Sequence, residues 1–192
     1  MFFDSHAHLN DAQFDADRAE VIRRAREEYR VSRIINIGFN RETIPTSIQL
    51  AEEYDFIYTS VGWHPHDAID CTKEDLSWIK NITNHPKVVA IGEIGLDYYW
   101  DHSPHDVQQD LFRKQIRIAI ETNLPIIIHD REAHQQSLET VQASGVRRGV
   151  FHCFSGDYAM AQKCMDLGFY ISIPGVVTFD KSKKLQDVAE KV

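Results

Sequence analysis

Five side chains of metal-ligand type follow apolar, strand-like segments in this chain. They are a His-x-His pair, His6 and His8, one carboxylate, Glu93, and two further histidines, His129 and His152. The strands of a parallel α/β protein end on one face, so residues this distant in sequence can converge there. Four imidazoles and one carboxylate are enough to hold two divalent metal ions if the carboxylate bridges them. The pattern therefore predicts metal-dependent chemistry, and hydrolysis in particular.

The His-x-His pair follows the first strand-like segment. Residues i and i+2 of a strand point to the same side, so His6 and His8 can reach one metal ion. Asp4 lies nearby and is a candidate to orient one of the imidazoles. A random pair of this kind is usually two loop histidines, but ligand types recur at other strand ends here, and this favours a metal site.

Glu93 ends an apolar segment. Gly92 precedes it directly, and Gly95 follows two residues later. A carboxylate in such a place is costly to bury without partners. A metal pair is a strong partner, and the glycines leave room for close approach. An ordinary loop glutamate is the alternative.

His129 and His152 each end an apolar segment. A single buried histidine is more often a hydrogen-bonded core residue than a ligand, but two of them on successive strands favour a shared metal ion. Cys153 is also a candidate ligand. Strand alternation aims its side chain at the opposite face, which predicts core packing for this thiol.

Further residues on the same loop face are candidates for substrate contact. His64 is placed to donate to a phosphate or a leaving group, and Arg131 to clamp a phosphate. Ser155 precedes a helix whose N-terminus suits an anion, and Asp97 is predicted to orient a ligand or a substrate group. Each has a structural alternative, such as a loop anchor, a surface ion pair or a plain helix cap. Aromatic residues on this face are placed to stack bases or to pack on the rim: Trp63, Tyr98, Tyr99 and Trp100.

The remaining histidines are predicted to lie on the surface. They are His66, His85, His102, His105 and His134.

An alternation of strand-like and helix-like segments carries these residues. Segments such as residues 126–128 are apolar without alternation, which predicts strands buried on both faces of a parallel sheet with helices outside it. Residues 2–5 are predicted to form a buried first strand. Seven such strands predict a TIM-type (β/α)8 barrel that lacks its last βα unit, and hence an open barrel. A doubly wound sheet is the alternative, but the first loop has no Gly-x-Gly-x-x-Gly sequence.

Helix boundaries are marked by capping residues. Thr72 is a candidate N-cap for the helix that follows it. The longest helix is predicted to begin at Ser103-Pro104, a cap followed by proline. Gly145 marks the end of the next helix.

Composition limits the classes of protein. A chain of 192 residues with 43% hydrophobic and 26% charged residues suits one globular domain, residues 1–192. No run approaches the roughly 18 apolar residues of a membrane span. The three cysteines form no CxxC pair and the N-terminus has no basic region, so a reduced, cytoplasmic location is expected. No obligate protein partner is evident.

The net charge of −8 excludes binding of polyanions through a broad basic surface. A phosphate-bearing substrate would have to be held locally, by metal ions and a few placed donors. Two divalent cations would bring a formal charge of about +4 into one cleft and reverse the local field.

The order of these motifs resembles the TatD family of metal-dependent deoxyribonucleases, within the amidohydrolase-like barrels. The resemblance runs along the whole chain. Its motifs are Asp4-Ser5-His6-Ala7-His8-Leu9, Gly62-Trp63-His64-Pro65, Gly92-Glu93-Ile94-Gly95-Leu96-Asp97-Tyr98-Tyr99, Pro125-Ile126-Ile127-Ile128-His129-Asp130-Arg131 and His152-Cys153-Phe154-Ser155-Gly156.

The resemblance implies roles for the ligands and a substrate. His6 and His8 would hold the first metal ion, Glu93 would bridge, and His129 and His152 would hold the second. Glu93 and His64 would be the catalytic residues. The family implies two divalent ions (Mg²⁺, Mn²⁺ or Zn²⁺), with hydrolysis of phosphodiester bonds in DNA, typically from a 3′ end and on a single strand.

The sequence departs from the family pattern at one place. Such proteins continue through an eighth strand whose aspartate ligates the first metal ion, whereas this sequence ends at Val192, within the predicted helix after strand seven. We therefore expect a C-terminally truncated domain, and tighter binding at the second metal site than at the first.

Two other functions fit the same ligand types. One is an amidohydrolase that acts on a C–N bond or on an aminoacyl-tRNA ester; the glutamate at the bridging position disfavours it, because many such enzymes place a modified lysine there. The other is a metal-binding chain that is catalytically impaired.

Overall fold

A computed structural model of the protein describes residues 2–100 and 102–192. Seven parallel strands form one sheet, in which each strand pairs with the next along the chain. The strands are β1 (Phe2–Ala7), β2 (Val31–Gly38), β3 (Ile57–Val61), β4 (Val88–Asp97), β5 (Ile126–Arg131), β6 (Gly149–Phe151) and β7 (Phe169–Ile171). The helices are α1 (Arg18–Glu27), α2 (Thr43–Glu53), α3 (Lys73–Ile82), α4 (His105–Thr122), α5 (His134–Ser144), α6 (Tyr158–Asp166) and α7 (Lys183–Lys191). The predicted fold class, an open TIM-type barrel with helices between the strands, is confirmed.

The centre of the sheet is apolar on both faces, as the unbroken run in β5 predicts. Ile126, Ile127 and Ile128 are all buried, and the main core cluster lies between this part of the sheet and the apolar face of α4, where Phe112 and Ile116 are buried. Burial of this kind contributes about 1.5–3 kcal/mol for each large side chain. The central strands, β4 and β5, are therefore the most firmly held part of the sheet.

The first strand is different. Phe2 and Phe3 are 68% and 58% exposed, and no residue of β1 is buried, so the prediction that residues 2–5 form a buried strand is wrong. The reason is position, since β1 pairs with β2 and lies at one end of the strand order. Tyr170, on β7 at the other end, is also exposed.

Two predicted helix boundaries are confirmed and one is wrong. Thr72 caps α3 in a reciprocal arrangement with Asp75, and Gly145 ends α5 with a φ of 77°. The longest helix, α4, begins at His105 rather than at Ser103. The Ser103 hydroxyl instead donates to the His66 carbonyl (2.7 Å) and accepts from the Ile69 N–H (3.1 Å). It thereby joins the start of α4 to the turn after β3.

In the described part of the chain, no helix combines the length and the hydropathy that crossing a bilayer requires.

Candidate metal centre

Four of the five predicted ligands line one cavity at the carboxyl ends of the strands, and the fifth, His6, lies behind them in contact with Glu93 and His152. The volume of the cavity is about 530 Å³. The walls include His8, His64, Glu93, His129, His152 and Ser155. The structure therefore brings together side chains from β1, β4 and β5 with those that follow β3 and β6, while their roles as ligands stay predictions.

Glu93 lies at the centre of the cluster and is 4% exposed. Its Oε2 faces the His-x-His pair, at 3.3 Å from Nε2 of His6 and 4.0 Å from Nε2 of His8. Its Oε1 faces the other group, at 2.8 Å from Nδ1 of His129 and 3.8 Å from Nε2 of His152. Each carboxylate oxygen thus serves a different set of imidazoles, which is the arrangement that a bridging ligand requires.

The first set of donors has spacings that suit one ion. The Nε2 atoms of His6 and His8 lie 3.1 Å apart, and the Glu93 oxygen lies at the distances given above. Donors bonded to one ion at about 2.1 Å lie roughly 3.0–3.4 Å apart in octahedral or tetrahedral geometry. Small adjustments of the three side chains are therefore enough to bind a divalent cation.

Two imidazoles in the cluster each keep one nitrogen without a protein partner in the described part of the chain. Nδ1 of His6 and Nδ1 of His152 are buried and have no hydrogen-bond partner among the described residues. The two rings are stacked with their centroids 3.3 Å apart. Desolvated imidazoles packed against one another and against a carboxylate fit a divalent cation, because His and carboxylate donors are its usual ligands.

Asp4 was predicted to orient one of these rings. Its carboxylate is exposed and accepts a hydrogen bond from the backbone N–H of His6 (3.0 Å). It therefore fixes the backbone of the His-x-His pair, and no contact with either ring is observed among the described residues.

The charge state of Glu93 is set by its neighbours. Burial alone would raise the pKa of this carboxyl, but hydrogen bonds with His129 and His6 hold it well below its usual range. Burial also disfavours a charged His129, yet hydrogen bonds to Asp97 and Glu93 raise the pKa of this imidazole to about 9. Without a cation, a protonated His129 therefore neutralises part of the charge of two buried carboxylates.

Asp97 orients His129 from the side opposite Glu93. It is fully buried, and its Oδ2 lies 2.9 Å from Nε2 of His129 and 2.8 Å from Nε2 of His66. Its Oδ1 accepts the backbone N–H groups of Tyr99 and Trp100. A histidine held by a carboxylate through one nitrogen offers the other to a metal ion in a fixed direction. Of the two roles predicted for Asp97, this geometry favours orienting a ligand over touching a substrate.

His66 was predicted to lie on the surface, but it is half-buried and belongs to the site. Its ring lines the cavity and is held by Asp97, and with His64 and His129 it forms a second group of donors close enough to share an ion. The short helical turn at Pro65–Asp70 folds this histidine back over the strand ends. The His-Pro-His sequence at positions 64–66 was the available signal.

His64 presents a hydrogen-bond donor to the cavity. Its Nδ1 accepts the backbone N–H of His66 (3.1 Å), so in the neutral ring the proton lies on Nε2. This Nε2 lies 3.8 Å from Oε1 of Glu93. Burial lowers the pKa of His64 to about 3, and the ring is therefore a neutral N–H donor at ordinary pH.

Two buried glutamines on α4 hold the strand ends that carry His64 and Asp97. The amide of Gln108 accepts the Asp97 N–H (2.8 Å) and donates to the Asp97 carbonyl (3.0 Å). Two helical turns later, Gln115 makes the same pair of bonds with Trp63, at 2.7 and 2.9 Å. Sequence analysis missed this role; the signal was a polar residue recurring within the apolar stripe of the helix.

Glycine permits the close contact of β4 and β5 at the site. Gly95 has a φ of 146°, and a Cβ there would lie 2.0 Å from the carbonyl oxygen of His129. A side chain at this position would force the two strands apart and move His129 away from Glu93.

Three further residues line the edge of the cavity. Arg131 is exposed, and its guanidinium lies 4.1 Å from the centroid of the Tyr99 ring. Ser155 is exposed just before α6. Cys153 is exposed and lines the cavity, so its predicted burial in the core is wrong. Strand β6 ends at Phe151, and Cys153 adopts a φ of 47°, which breaks the alternation that the prediction assumed.

The chain matches a family model described as "TatD related DNase" over residues 3–192. An uncharacterized metal-dependent hydrolase from Bacillus subtilis, YabD, is 51% identical over 194 residues, which cover 100% of this chain and 76% of that protein. A protein from Salmonella typhimurium named 3′-5′ ssDNA/RNA exonuclease TatD is 34% identical, over 91% of this chain and 68% of its own length.

Solved structures agree with these sequence matches. The crystal structure of YJJV, a TatD homologue from Escherichia coli, superposes with a TM-score of 0.93 at 31% identity and covers 100% of this chain and 74% of its own. A TatD family hydrolase from Entamoeba histolytica gives 0.88 at 23% identity, over 100% of this chain and 70% of its own, and shares the fold. With its ligand-rich cavity, this chain belongs to the TatD-related family of metal-dependent hydrolases.

Proposed function

We propose that this protein is a phosphodiesterase that uses two divalent metal ions to remove nucleotides from the 3′ end of single-stranded DNA. The observation that carries the proposal is the geometry of Glu93, whose two oxygens face two separate sets of imidazoles. Relatives named 3′-5′ ssDNA/RNA exonuclease, at about one-third identity, support the direction and the substrate class.

The distances around Glu93 support two ligand sets. His6, His8 and Oε2 of Glu93 would hold one ion; Oε1 of Glu93 with His129 and His152 would hold the other. Mg²⁺, Mn²⁺ and Zn²⁺ all suit a mixture of imidazole and carboxylate donors or the chemistry of phosphodiesters. Two such ions, when bound, would lower the pKa of a water and stabilise charge on the phosphate oxygens.

The chain's own residues orient the substrate. The N–H of His64 projects into the cavity as a neutral donor and is placed to bind a phosphate oxygen or the departing oxygen. Arg131 supplies a cation at the rim, and Ser155 supplies a hydroxyl at the N-terminus of α6. With a net charge of −8, these local groups have to replace a basic surface.

The direct test is nucleotide release from single-stranded DNA labelled at its 5′ end. Protein stripped with a chelator is reconstituted with Mg²⁺, Mn²⁺ or Zn²⁺, and products are followed on a sequencing gel. We expect a ladder that shortens from the 3′ end. Glu93→Gln should lower the rate at least about 10³-fold, because it removes the charge that binds both ions, whereas Glu190→Gln, at an exposed position of α7, should leave it unchanged.

Three results would contradict the proposal in distinguishable ways. Release of ammonia from cyclic amides, or deacylation of aminoacyl-tRNA, without nucleotide release would identify an amidohydrolase or esterase. Metal binding by calorimetry with no turnover of any substrate would identify an impaired site. Nucleotide release that survives Glu93→Gln would place the chemistry elsewhere in the molecule.

A further inference from the structure

We propose that Tyr99, Trp100 and Arg131 form a base-stacking site next to the metal centre, which holds the nucleotide bases beside the scissile phosphate. This inference rests on the proposed function and names how the substrate is recognised. It concerns the bases of the strand, which the metal ligands do not touch.

The two aromatic side chains are exposed beside the cavity. Tyr99 is 55% exposed and Trp100 is 45% exposed, and their rings meet edge to face with centroids 4.9 Å apart. The Arg131 guanidinium lies 4.1 Å from the Tyr99 centroid and 5.7 Å from that of Trp100. Packing on the barrel rim does not account for rings with half of their surface in solvent. The Arg131 guanidinium covers one face of Tyr99. The ring surfaces that stay exposed, with this cation beside them, are groups on which single-stranded nucleic acid stacks.

The position of this site is continuous with the cavity. Asp97 and Arg131 are register partners at the ends of β4 and β5, and Arg131 itself lines the cavity. On the other side, the Trp100 ring lies 6.0 Å from that of His102, which lies 4.8 Å from that of His66 in the cavity wall. Bases stacked here would therefore belong to nucleotides adjoining the phosphate held at the metal centre.

The loop is anchored to the same carboxylate that orients His129. Oδ1 of Asp97 accepts the N–H groups of Tyr99 and Trp100 at 3.1 and 3.0 Å, while its Oδ2 binds His129. One buried side chain thus fixes the distance between the stacking surface and the metal centre. The backbone of the loop is therefore fixed, and only the side chains of Tyr99 and Trp100 can move to fit a substrate.

Charge favours stacking as the source of affinity. A protein with a net charge of −8 gains little from long-range attraction of a polyanion. Stacking is independent of sequence, because every base has a π face, and it is less sensitive to salt than phosphate contacts are. The site therefore suits an exonuclease that acts on any terminal base.

The test compares a single-stranded oligonucleotide with one of equal length that is abasic at its last three 3′ positions. For the wild type, we expect the abasic substrate to have a KM about tenfold higher or more. Trp100→Ala should remove this preference by raising KM for the base-bearing strand, with kcat within about twofold. Trp100→Phe should retain it, and Tyr29→Ala, an exposed tyrosine after α1, should behave as wild type.

A binding measurement separates this inference from the nuclease proposal. With metal removed by a chelator, base-bearing DNA should quench the fluorescence of Trp100, since Trp63 is buried and Trp78 lies on α3 under the Arg41 guanidinium, outside the cavity lining. The abasic strand should quench it less, and Trp100→Phe should lose the response. A wild type that quenches but hydrolyses no DNA would refute the nuclease and support the stacking site. An undiminished base preference in Trp100→Ala, or no quenching by base-bearing DNA, would overturn the stacking site.

Discussion

The two sides of the candidate metal centre are built differently. On the β4–β5 side, defined by Glu93, Asp97 and His129, each side chain is hydrogen-bonded to its neighbours at 2.8–2.9 Å. On the β1/β6 side, defined by His6, His8 and His152, the rings contact one another, and two of them have a buried nitrogen without a partner among the described residues. Hydrogen bonds to carboxylates therefore organise the first side, whereas contacts between imidazoles dominate the second.

The difference has a cause in the sheet. The β4–β5 side belongs to the two central strands, which are buried on both faces and held at Asp97 by Gln108. The β1/β6 side comes from a strand at the end of the sheet and from a three-residue strand, Gly149–Phe151. We infer that removal of a group from the β4–β5 side destabilises the protein itself, whereas removal of a group from the β1/β6 side affects mainly metal binding.

Replacement of His129 should give the largest effect on stability. His129→Leu leaves Glu93 and Asp97 as buried carboxylates without their shared partner, and we expect the free energy of unfolding to fall by about 3–5 kcal/mol. Urea unfolding in the presence of a chelator measures it. His85→Leu is the matched control, because His85 pairs with the exposed Glu52 and should change stability by less than about 1 kcal/mol. Equal effects of the two substitutions would contradict the comparison.

The pH dependence of stability should also separate the two sides. The pKa of His129 is raised to about 9 in the folded protein, from about 6.5 when unfolded, so its contribution is complete below pH 6.5 and is lost as pH rises to 9. This loss amounts to at most about 3 kcal/mol. Burial lowers the pKa of His152 to about 3, so its contribution is present above pH 6.5 and is lost as pH falls towards 3.

Urea unfolding at several pH values, with metal removed, tests these opposite signs. His129→Leu should abolish the fall in stability between pH 6.5 and 9. His152→Leu should reduce the fall below pH 6.5 and leave the alkaline limb unchanged. An alkaline limb that persists without His129 would mean that another group causes it.

The same contrast explains what sequence could and could not predict. The convergence of His6, Glu93 and His129 could be predicted because the carboxyl-terminal parts of parallel strands lie at one edge of the sheet. The expectation that Glu93 ends its strand is wrong, since β4 continues to Asp97. The exposure of Phe2 depends on which strand lies at the end of the sheet, which is a property of the whole chain. Local patterns therefore predicted the layout of the site better than the burial of its edges.

The directions of side chains that lie outside the regular strands could not be predicted from the sequence. His66 reaches Asp97 only because a helical turn folds back over the strand ends, and its spacing in sequence resembles that of a surface loop. The direction of the Cys153 side chain was predicted wrongly, because the positive φ of Cys153 itself turns the side chain away from the direction that strand alternation gives. In both cases the backbone departs from a regular strand, so alternation gives no information on where the side chain points.

Loss of the glutamine contact should weaken the β4–β5 side by a smaller amount. Gln108→Leu leaves the buried N–H and carbonyl of Asp97 without partners, and we expect a loss of about 2–3 kcal/mol in the free energy of unfolding. Gln142→Leu, at an exposed position on α5, is the control and should change it by less than about 0.5 kcal/mol. If Gln108→Leu were as mild as this control, the hydrogen bonds to Asp97 would not be what holds the strand end.

The smallest effect on the metal-free protein should come from the β1/β6 side. His6→Leu removes an imidazole whose buried Nδ1 has no hydrogen-bond partner among the described residues, which is favourable for stability. This favourable change offsets much of the loss of the 3.3 Å contact between His6 and Glu93. We therefore expect the free energy of unfolding to change by no more than about 1 kcal/mol when metal is removed by a chelator.

With metal present, the same substitution should have a clear cost. An ion at 100 times its dissociation constant stabilises the wild type by about 2.7 kcal/mol for each site. His6→Leu should lose the stabilisation that comes from the ion bound by His6 and His8. Unfolding with and without Zn²⁺ or Mn²⁺ gives both values, and His105→Leu, at an exposed position, controls for loss of a histidine. A large loss without metal, or an undiminished gain with metal, would mean that His6 belongs to the protein's own framework and not to an ion.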